Sequence, residues 1–89
     1  MERQIERGLK KIVEAAGGRA WKFVSPGTSG VPDRIVLLPG GRILFVEVKD
    51  TGKKLGPMQI LRKRQLETLG FEVRVIDSRE LVEAFGDAI

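Results

Sequence analysis

Residues 31–49 read VPDRIVLLPGGRILFVEVK and contain the clearest secondary-structure pattern of the chain. Two runs rich in β-branched and apolar side chains, 34–38 and 42–49, lie on either side of Pro39-Gly40-Gly41. A turn of this composition between two such runs is typical of a β-hairpin. The sequence therefore predicts two antiparallel strands in the middle of the chain.

The hairpin brings ionic side chains together at its open end. Pro32 restricts its own φ and favours an extended residue before it, which fixes the direction in which Asp33 enters its strand. Counting back from the turn places Asp33 opposite Glu47, within about one residue. Lys49 lies on the same strand face as Glu47, about 6.6 Å further along. If Asp33 is left aside, Glu47 and Lys49 are explained by an exposed salt pair at a strand end. Two carboxylates and an ammonium together favour a site that a cation and a phosphate complete.

The rest of the chain predicts three helices and two further strands. Apolar spacing and helix-ending glycines predict a helix over residues 2–16, a strand over 20–24, a loop over 25–30, a helix over 57–69, a strand over 71–76 and a short helix over 78–85. The order αβββαβα predicts an α/β fold in which helices flank a mixed four-stranded sheet. At 89 residues the chain is expected to be one domain, residues 1–89.

The composition excludes several kinds of catalytic site. The chain has no Cys, no His and no Tyr. Zinc–thiolate sites, Cys–His and Ser–His–Asp nucleophiles, haem and iron–sulfur ligation and disulfides are therefore excluded. Any metal must be held by oxygen atoms, which suit Mg²⁺, Mn²⁺ or Ca²⁺.

The charge is unevenly distributed along the chain. The formal net charge is +4, but residues 1–71 carry +7 because five of the 12 acidic residues and only two of the 16 basic ones follow. Lys53-Lys54 and Arg62-Lys63-Arg64 concentrate this charge, as in polyanion-binding surfaces, although a solvated basic surface has the same composition. With no signal-peptide pattern and no apolar run of 18 residues, we expect a cytoplasmic protein, of a bacterium or a phage-infected cell, that does not bind membranes.

An acidic residue lies near the apolar face of the first helix. On a helical wheel Glu2 is about 36° from the centre of that face, and Glu6 is about 76° away on its flank. An acid in a first turn also interacts favourably with the helix dipole, which is the simpler explanation of Glu2. The two residues are one turn apart, so the wheel leaves open which of them faces the hairpin.

Five segments, taken in order, resemble one family of nucleases. They are Glu2-x-x-Ile5, Trp21 to Gly27 (WKFVSPG), Gly30 to Arg34 (GVPDR), Phe45 to Lys49 (FVEVK) and Pro57-x-Gln59. Together they closely resemble the virus-type replication-repair nuclease (VRR-NUC) domain of the PD-(D/E)XK superfamily, over essentially the whole chain. The resemblance implies a restriction-endonuclease-like αβββαβ core, and it is closest to stand-alone, phage-type members. These are similar in organisation to archaeal Holliday-junction resolvases, which act as homodimers.

The resemblance also implies roles for particular residues. Asp33, Glu47 and the backbone carbonyl of Val48 would hold Mg²⁺, for which Mn²⁺ would substitute, and Glu2 would complete the metal or water shell. Lys49 would orient or deprotonate the attacking water. Gln59 would contact water or phosphate, whereas composition alone makes it a polar first-turn residue.

The implied function is that of a Mg²⁺-dependent, structure-selective DNA endonuclease. It would hydrolyse phosphodiester bonds in branched or junction DNA during replication, repair and recombination, leave a 5′-phosphate and act as a homodimer. The residues expected to contact DNA are Lys22, Ser25, Lys53, Lys54, Arg62, Lys63 and Arg64. Trp21 and Phe23 are expected to be core or interface aromatics.

Two other functions stay open on the sequence. The basic charge alone is enough for a non-catalytic nucleic-acid-binding module with structural acids. A Mg²⁺-dependent nucleotide hydrolase is the third possibility, but the 25–30 loop fits neither a Walker A pattern nor a dinucleotide fingerprint.

Overall fold

The structure, a computed structural model, describes residues 2–89 and contains the predicted order αβββαβα. Its elements are α1 (Glu2–Ala15), β1 (Arg19–Lys22), β2 (Arg34–Leu38), β3 (Arg42–Val48), α2 (Pro57–Thr68), β4 (Glu72–Ile76) and α3 (Arg79–Ala88). A short 3₁₀ turn, Pro39–Gly41, joins β2 to β3. β1 ends two residues earlier than predicted, and α3 extends three residues further. None of the three helices in these residues is long and apolar enough to cross a bilayer.

The four strands form one mixed sheet in the order β1-β2-β3-β4. β1 pairs with β2, and β2 with β3, in antiparallel orientation, whereas β3 and β4 are parallel. The predicted hairpin register is confirmed, since Leu38 pairs with Arg42 next to the turn and Arg34 pairs with Val46. Because β3 and β4 run in the same direction, their carboxyl ends meet at one edge of the sheet, where ligands commonly bind in α/β folds.

One face of the sheet carries the main core. Leu44, Val46 and Val48 alternate along β3 and are fully buried on this face. Helices α1 and α3 pack over them through residues whose spacing forms one apolar stripe on each helix. The helical core residues are Ile5, Leu9, Val13, Val82 and Phe85.

The opposite face of the sheet is thinly covered. Of the helices in residues 2–89, α2 alone packs on it, and no residue of α2 is buried. Phe45 lies at the centre of an aromatic cluster, with Phe23 and Phe71 each 5.6 Å away between ring centroids. Phe23 thus packs as predicted, whereas Trp21 is 58% exposed and lies outside the core.

The loop between β1 and β2 is docked on α2. Arg62 Nε donates a hydrogen bond to the carbonyl oxygen of Ser29 at 2.8 Å. Gly30 has a φ of +85°, and a Cβ atom there would lie 2.6 Å from the backbone of Met58. The loop continues into the buried Pro32 and then Asp33. Docking against α2 therefore fixes the point at which β2 begins.

We expect Gly30→Ala to destabilise the protein more than Gly40→Ala. Both glycines have a positive φ, +85° and +83°, but a Cβ at Gly40 would have no neighbour within 4 Å. An alanine with positive φ should lower the free energy of unfolding by about 1 kcal/mol at Gly40. The clash with Met58 should raise the loss at Gly30 to about 3 kcal/mol. Urea denaturation of both variants measures the difference. Equal losses would mean that the loop does not depend on its close contact with α2.

Candidate active site

Asp33 and Glu47 are locked together by two reciprocal hydrogen bonds. The backbone N–H of Asp33 donates to Glu47 Oε1 at 3.0 Å, and the backbone N–H of Val48 donates to Asp33 Oδ2 at 3.0 Å. The lock forms because Asp33 lies between Pro32 and the first residue of β2, and β2 pairs with β3 in the register described above. It brings two carboxylates together at the open end of the hairpin, as the spacing predicts.

Glu47 is buried in an environment that opposes its negative charge. Only 4% of the residue is exposed. Burial and, next, the negative charge of Asp33 raise the pKa of Glu47 to about 7, and the charge of Glu2 adds to this shift. The N–H of Asp33 and the ammonium of Lys49 act in the opposite direction on the same pKa. Lys49 Nζ lies 4.0 Å from Glu47 Oε2. A single lysine does not balance two paired carboxylates, so the site favours binding of a further cation.

Gln59 connects this site to the first turn of α2. Its side-chain Nε2 donates to Glu47 Oε2 at 2.5 Å, and its Oε1 accepts a hydrogen bond from the backbone N–H of Gly56 at 2.9 Å. The second bond belongs to a capping box that satisfies a backbone donor before α2. The Gln59 amide group is therefore held at both ends, and it fixes the position of the Glu47 carboxylate.

The geometry distinguishes Glu2 from Glu6. The backbone N–H of Glu2 donates to Asp50 Oδ1 at 2.6 Å, which ties the start of α1 to the loop after β3. Glu2 also lies near enough to raise the pKa of Glu47. Glu6 Oε1 instead lies 3.8 Å from Arg34 Nη2. This arrangement favours Glu2 as the helix-one acid of the site.

Arg34 and Asp50 support the site and were not predicted from the sequence. Arg34 is largely buried, and besides its ion pair with Glu6 its Nη1 donates to the carbonyl oxygen of Ala20 at 3.2 Å. Strand alternation predicts the position of Arg34, because Arg34 shares its face of the sheet with Val36 and therefore lies on the side covered by α1. For Asp50 the only signal is its position, one residue after Lys49.

The oxygen donors of the site fit a hard divalent cation. Across residues 2–89, no three acidic side chains converge closely enough to form a metal site by themselves. Asp33 and Glu47 provide two carboxylates, and the Val48 carbonyl is adjacent in sequence. Such a small protein ligand set suits Mg²⁺, which keeps several of its water molecules when it binds to proteins.

The predicted DNA-contacting residues fall into two groups. Lys22, Lys53, Lys54 and Arg64 are exposed, and Ser25 is half-buried in the docked loop. Arg62 and Lys63 are engaged within the protein: Arg62 holds the loop at Ser29, and Lys63 Nζ pairs with Glu67 at 3.1 Å. Lys63 also lines a small cavity together with Glu47 and Gln59.

Comparisons with known proteins agree on one family. The family model of the VRR-NUC domain matches residues 2–80. The chain is 50% identical over 80 residues to "Putative nuclease p44" of Acyrthosiphon pisum secondary endosymbiont phage 1, an alignment that covers 90% of this chain and 86% of that protein. A solved structure described as a VRR_NUC domain is 36% identical, covers 97% of this chain and 94% of its own, and superimposes with a TM-score of 0.91. The predicted fold class is thereby confirmed.

We expect Asp33→Asn to stabilise the metal-free protein above pH 7. Because the folded-state pKa of Glu47 is raised from 4.5 to about 7, its ionisation removes stability as the pH rises through this range. The introduced amide keeps an acceptor for the Val48 N–H but removes one negative charge. The free energy of unfolding of this variant should exceed that of the unsubstituted protein by about 1 kcal/mol at pH 8, and the gain should shrink below about pH 5, where Glu47 is protonated in both proteins.

Asp33→Ala is the matched control for this measurement. It removes the same charge but leaves the buried Val48 N–H without its side-chain acceptor, at a cost of about 1–3 kcal/mol. Denaturation of the three proteins at pH 4.5 and pH 8 separates the two effects. A loss of stability in Asp33→Asn at pH 8, equal to that in Asp33→Ala, would show that repulsion does not dominate this site.

Proposed function

The chain belongs to the VRR-NUC domain family, and on this premise we propose that it is a Mg²⁺-dependent endonuclease that cleaves branched DNA. The observation that carries the proposal is the lock between Asp33 and Glu47, which holds two like charges together beside Lys49. The paired charges raise the pKa of Glu47, and a bound cation would offset their repulsion. The relative at 50% identity is itself named a nuclease, which supports the same reaction class.

The metal proposal assigns Asp33, Glu47 and the Val48 carbonyl as protein ligands of Mg²⁺, with Glu2 in the surrounding shell. When bound, a divalent ion neutralises a non-bridging phosphate oxygen and lowers the pKa of a bound water molecule. Gln59 keeps the Glu47 carboxylate oriented through its hydrogen bond to Oε2. Mn²⁺ has the same preference for oxygen ligands and is expected to substitute.

Lys49 is proposed to act on the nucleophile and the scissile phosphate. Its side chain is 21% exposed and lies at the edge of the buried pair, so the ammonium can reach both the site and a bound strand. There it offsets the negative charge that develops on the phosphate in the transition state and orients the attacking water. The proposed reaction adds water to the phosphodiester and releases a 5′-phosphate and a 3′-hydroxyl.

The exposed basic residues are proposed to bind the flanking DNA backbone. Lys53 and Lys54 lie in the loop that follows Lys49, and Lys22 lies at the end of β1. Contacts of this kind provide salt-dependent affinity without reading sequence. Substrate choice would then depend on DNA shape, which is consistent with activity on junctions or flaps.

Cleavage of labelled DNA tests this assignment. We expect the protein to cut a four-way junction or a flap in Mg²⁺ and not in EDTA. Lys49→Ala should lower the cleavage rate by about 10²–10³-fold, because it removes a charge aimed at the transition state. Asp33→Asn should abolish detectable cleavage while it retains the fold. The control variant Lys10→Ala lacks an exposed lysine on the outer side of α1, and it should cleave DNA at the rate of the unsubstituted protein.

Two outcomes would contradict the proposal. If the protein binds DNA independently of metal and never cuts it, it is a non-catalytic nucleic-acid-binding module. If cleavage survives Lys49→Ala at full rate, the roles assigned here are wrong.

We further propose that the protein forms a homodimer through the thinly covered face of the sheet. On this face Trp21 pairs with Ile35, and Ile35 pairs with Phe45 on the next strand; Ile43 and Phe71 continue the apolar surface. Trp21, Ile43 and Phe71 are each at least 40% exposed. Exposed apolar side chains that adjoin in this way mark protein interfaces, and a second copy would complete the missing layer.

Light scattering tests the dimer. The monomer mass is 9.9 kDa, so we expect about twice that mass at micromolar concentration. Trp21→Glu and Ile43→Lys should each give the monomer. Leu81→Glu is the matched control, because Leu81 is as exposed as Ile43 but lies on α3, across the sheet. A monomeric unsubstituted protein at about 0.1 mM, or roughly 1 mg/ml, would contradict the dimer.

A further inference from the structure

A cleft between α1 and α3 lies outside the site described above. It has a volume of about 360 Å³, within the range of small-ligand sites. Gly8 and the buried residues Ile5 and Val82 form its apolar floor, and Gln4, Thr51 and Arg79 are among the polar residues around it. We propose that this cleft binds one unpaired nucleotide of the DNA strand that is being cut. The inference rests on the proposed nuclease function and adds a reason for its choice of branched substrates.

The cleft opens at the same edge of the sheet as the candidate active site. Thr51 is two residues after Lys49, so their Cα atoms are at most about 7.6 Å apart. The Thr51 hydroxyl donates to the carbonyl oxygen of Asp77 at 2.8 Å, two residues before α3. At the start of α1, the N–H of Glu2 donates to Asp50 Oδ1, in the same loop. The cleft and the active site therefore share the loop that follows β3, so a strand held at Lys49 would place its neighbouring nucleotide near the cleft.

Gly8 keeps the cleft open where packing would allow a side chain. A Cβ atom at this position would meet only Val82 Cγ1, at the ordinary contact distance of 3.5 Å, and Gly8 does not adopt a positive φ. Glycine inside a helix costs about 1 kcal/mol relative to alanine. Gly86 is different, because its Cβ would lie 2.8 Å from Ile12. Neither the backbone nor the contact between α1 and α3 explains Gly8, whereas an open cleft does.

The chemistry of the cleft fits a nucleotide better than a phosphate ion alone. The floor that the edges of Ile5 and Val82 form with Gly8 is apolar, as the face of a base requires. The amide of Gln4 and the carboxylate of Glu80 provide the donors and acceptors that recognise base edges. Among residues 2–89, Arg79 has no ion-pair partner, so its guanidinium is available to the phosphate group. A base enters such a cleft only after it leaves the duplex, which is easiest at a branch or flap.

A nitrogen–proton NMR titration with 2′-deoxyadenosine 5′-monophosphate tests the cleft without relying on cleavage, because this compound contains no phosphodiester bond. We expect saturable shifts of the amide signals of Gly8, Thr51 and Arg79. Gly8→Leu, which fills the cleft, and Arg79→Ala should each weaken binding at least five-fold, whereas Lys10→Ala should not. Gly8→Leu should also lower the ratio of flap to duplex cleavage at least five-fold.

The possible outcomes separate the two proposals. Absent shifts, or shifts that Gly8→Leu and Arg79→Ala do not change, would overturn the nucleotide cleft even if the protein cuts DNA. Equal shifts with inorganic phosphate would also overturn it, because the cleft would then bind only an anion. Binding of the nucleotide in the cleft without any DNA cleavage would support the cleft and contradict the proposed nuclease.

Discussion

The structure depends on the two hydrogen bonds that hold Asp33 against Glu47. Each carboxylate accepts a backbone N–H from the other's strand, so the repulsion between their charges is opposed by the pairing of β2 with β3. Without a bound cation the arrangement is unfavourable, because it buries Glu47 beside the carboxylate of Asp33 and raises the pKa of Glu47. Functional sites commonly carry such local costs, which the surrounding fold compensates.

The surrounding elements each restrain one part of this pair. The docked loop fixes where β2 begins, through the contact of Gly30 with α2 and the bond from Arg62 to Ser29. The capping box of α2 holds Gln59, which in turn holds Glu47. Arg34 binds Glu6 and so leaves Glu2 as the acid that acts on Glu47. Helix α2 thus restrains the site while it contributes no buried residue to the core.

The sequence predicts the fold and the acidic pair because both depend on local rules. Strand alternation, the glycine turn and the count back from it are enough to place Asp33 beside Glu47. The partners of Gln59, Arg62 and Asp50 are not predictable in this way, because each bond joins segments that are distant in sequence and whose relative positions only the packed structure fixes. The same limit applies to Arg62 and Lys63, whose basic character suggests DNA contact but whose side chains bind within the protein. Trp21 is exposed because α2 does not cover β1, and the spacing of residues along the chain does not predict which strands α2 covers.

Anomalous diffraction from crystals soaked in Mn²⁺ locates the bound ion without reference to activity. We expect one peak between the carboxylates of Asp33 and Glu47, within reach of the Val48 carbonyl oxygen, and its loss in crystals of the Asp33→Asn variant. A peak elsewhere on the surface, or an unchanged pair of hydrogen-bonded carboxylates with no ion between them at saturating Mn²⁺, would contradict this expectation.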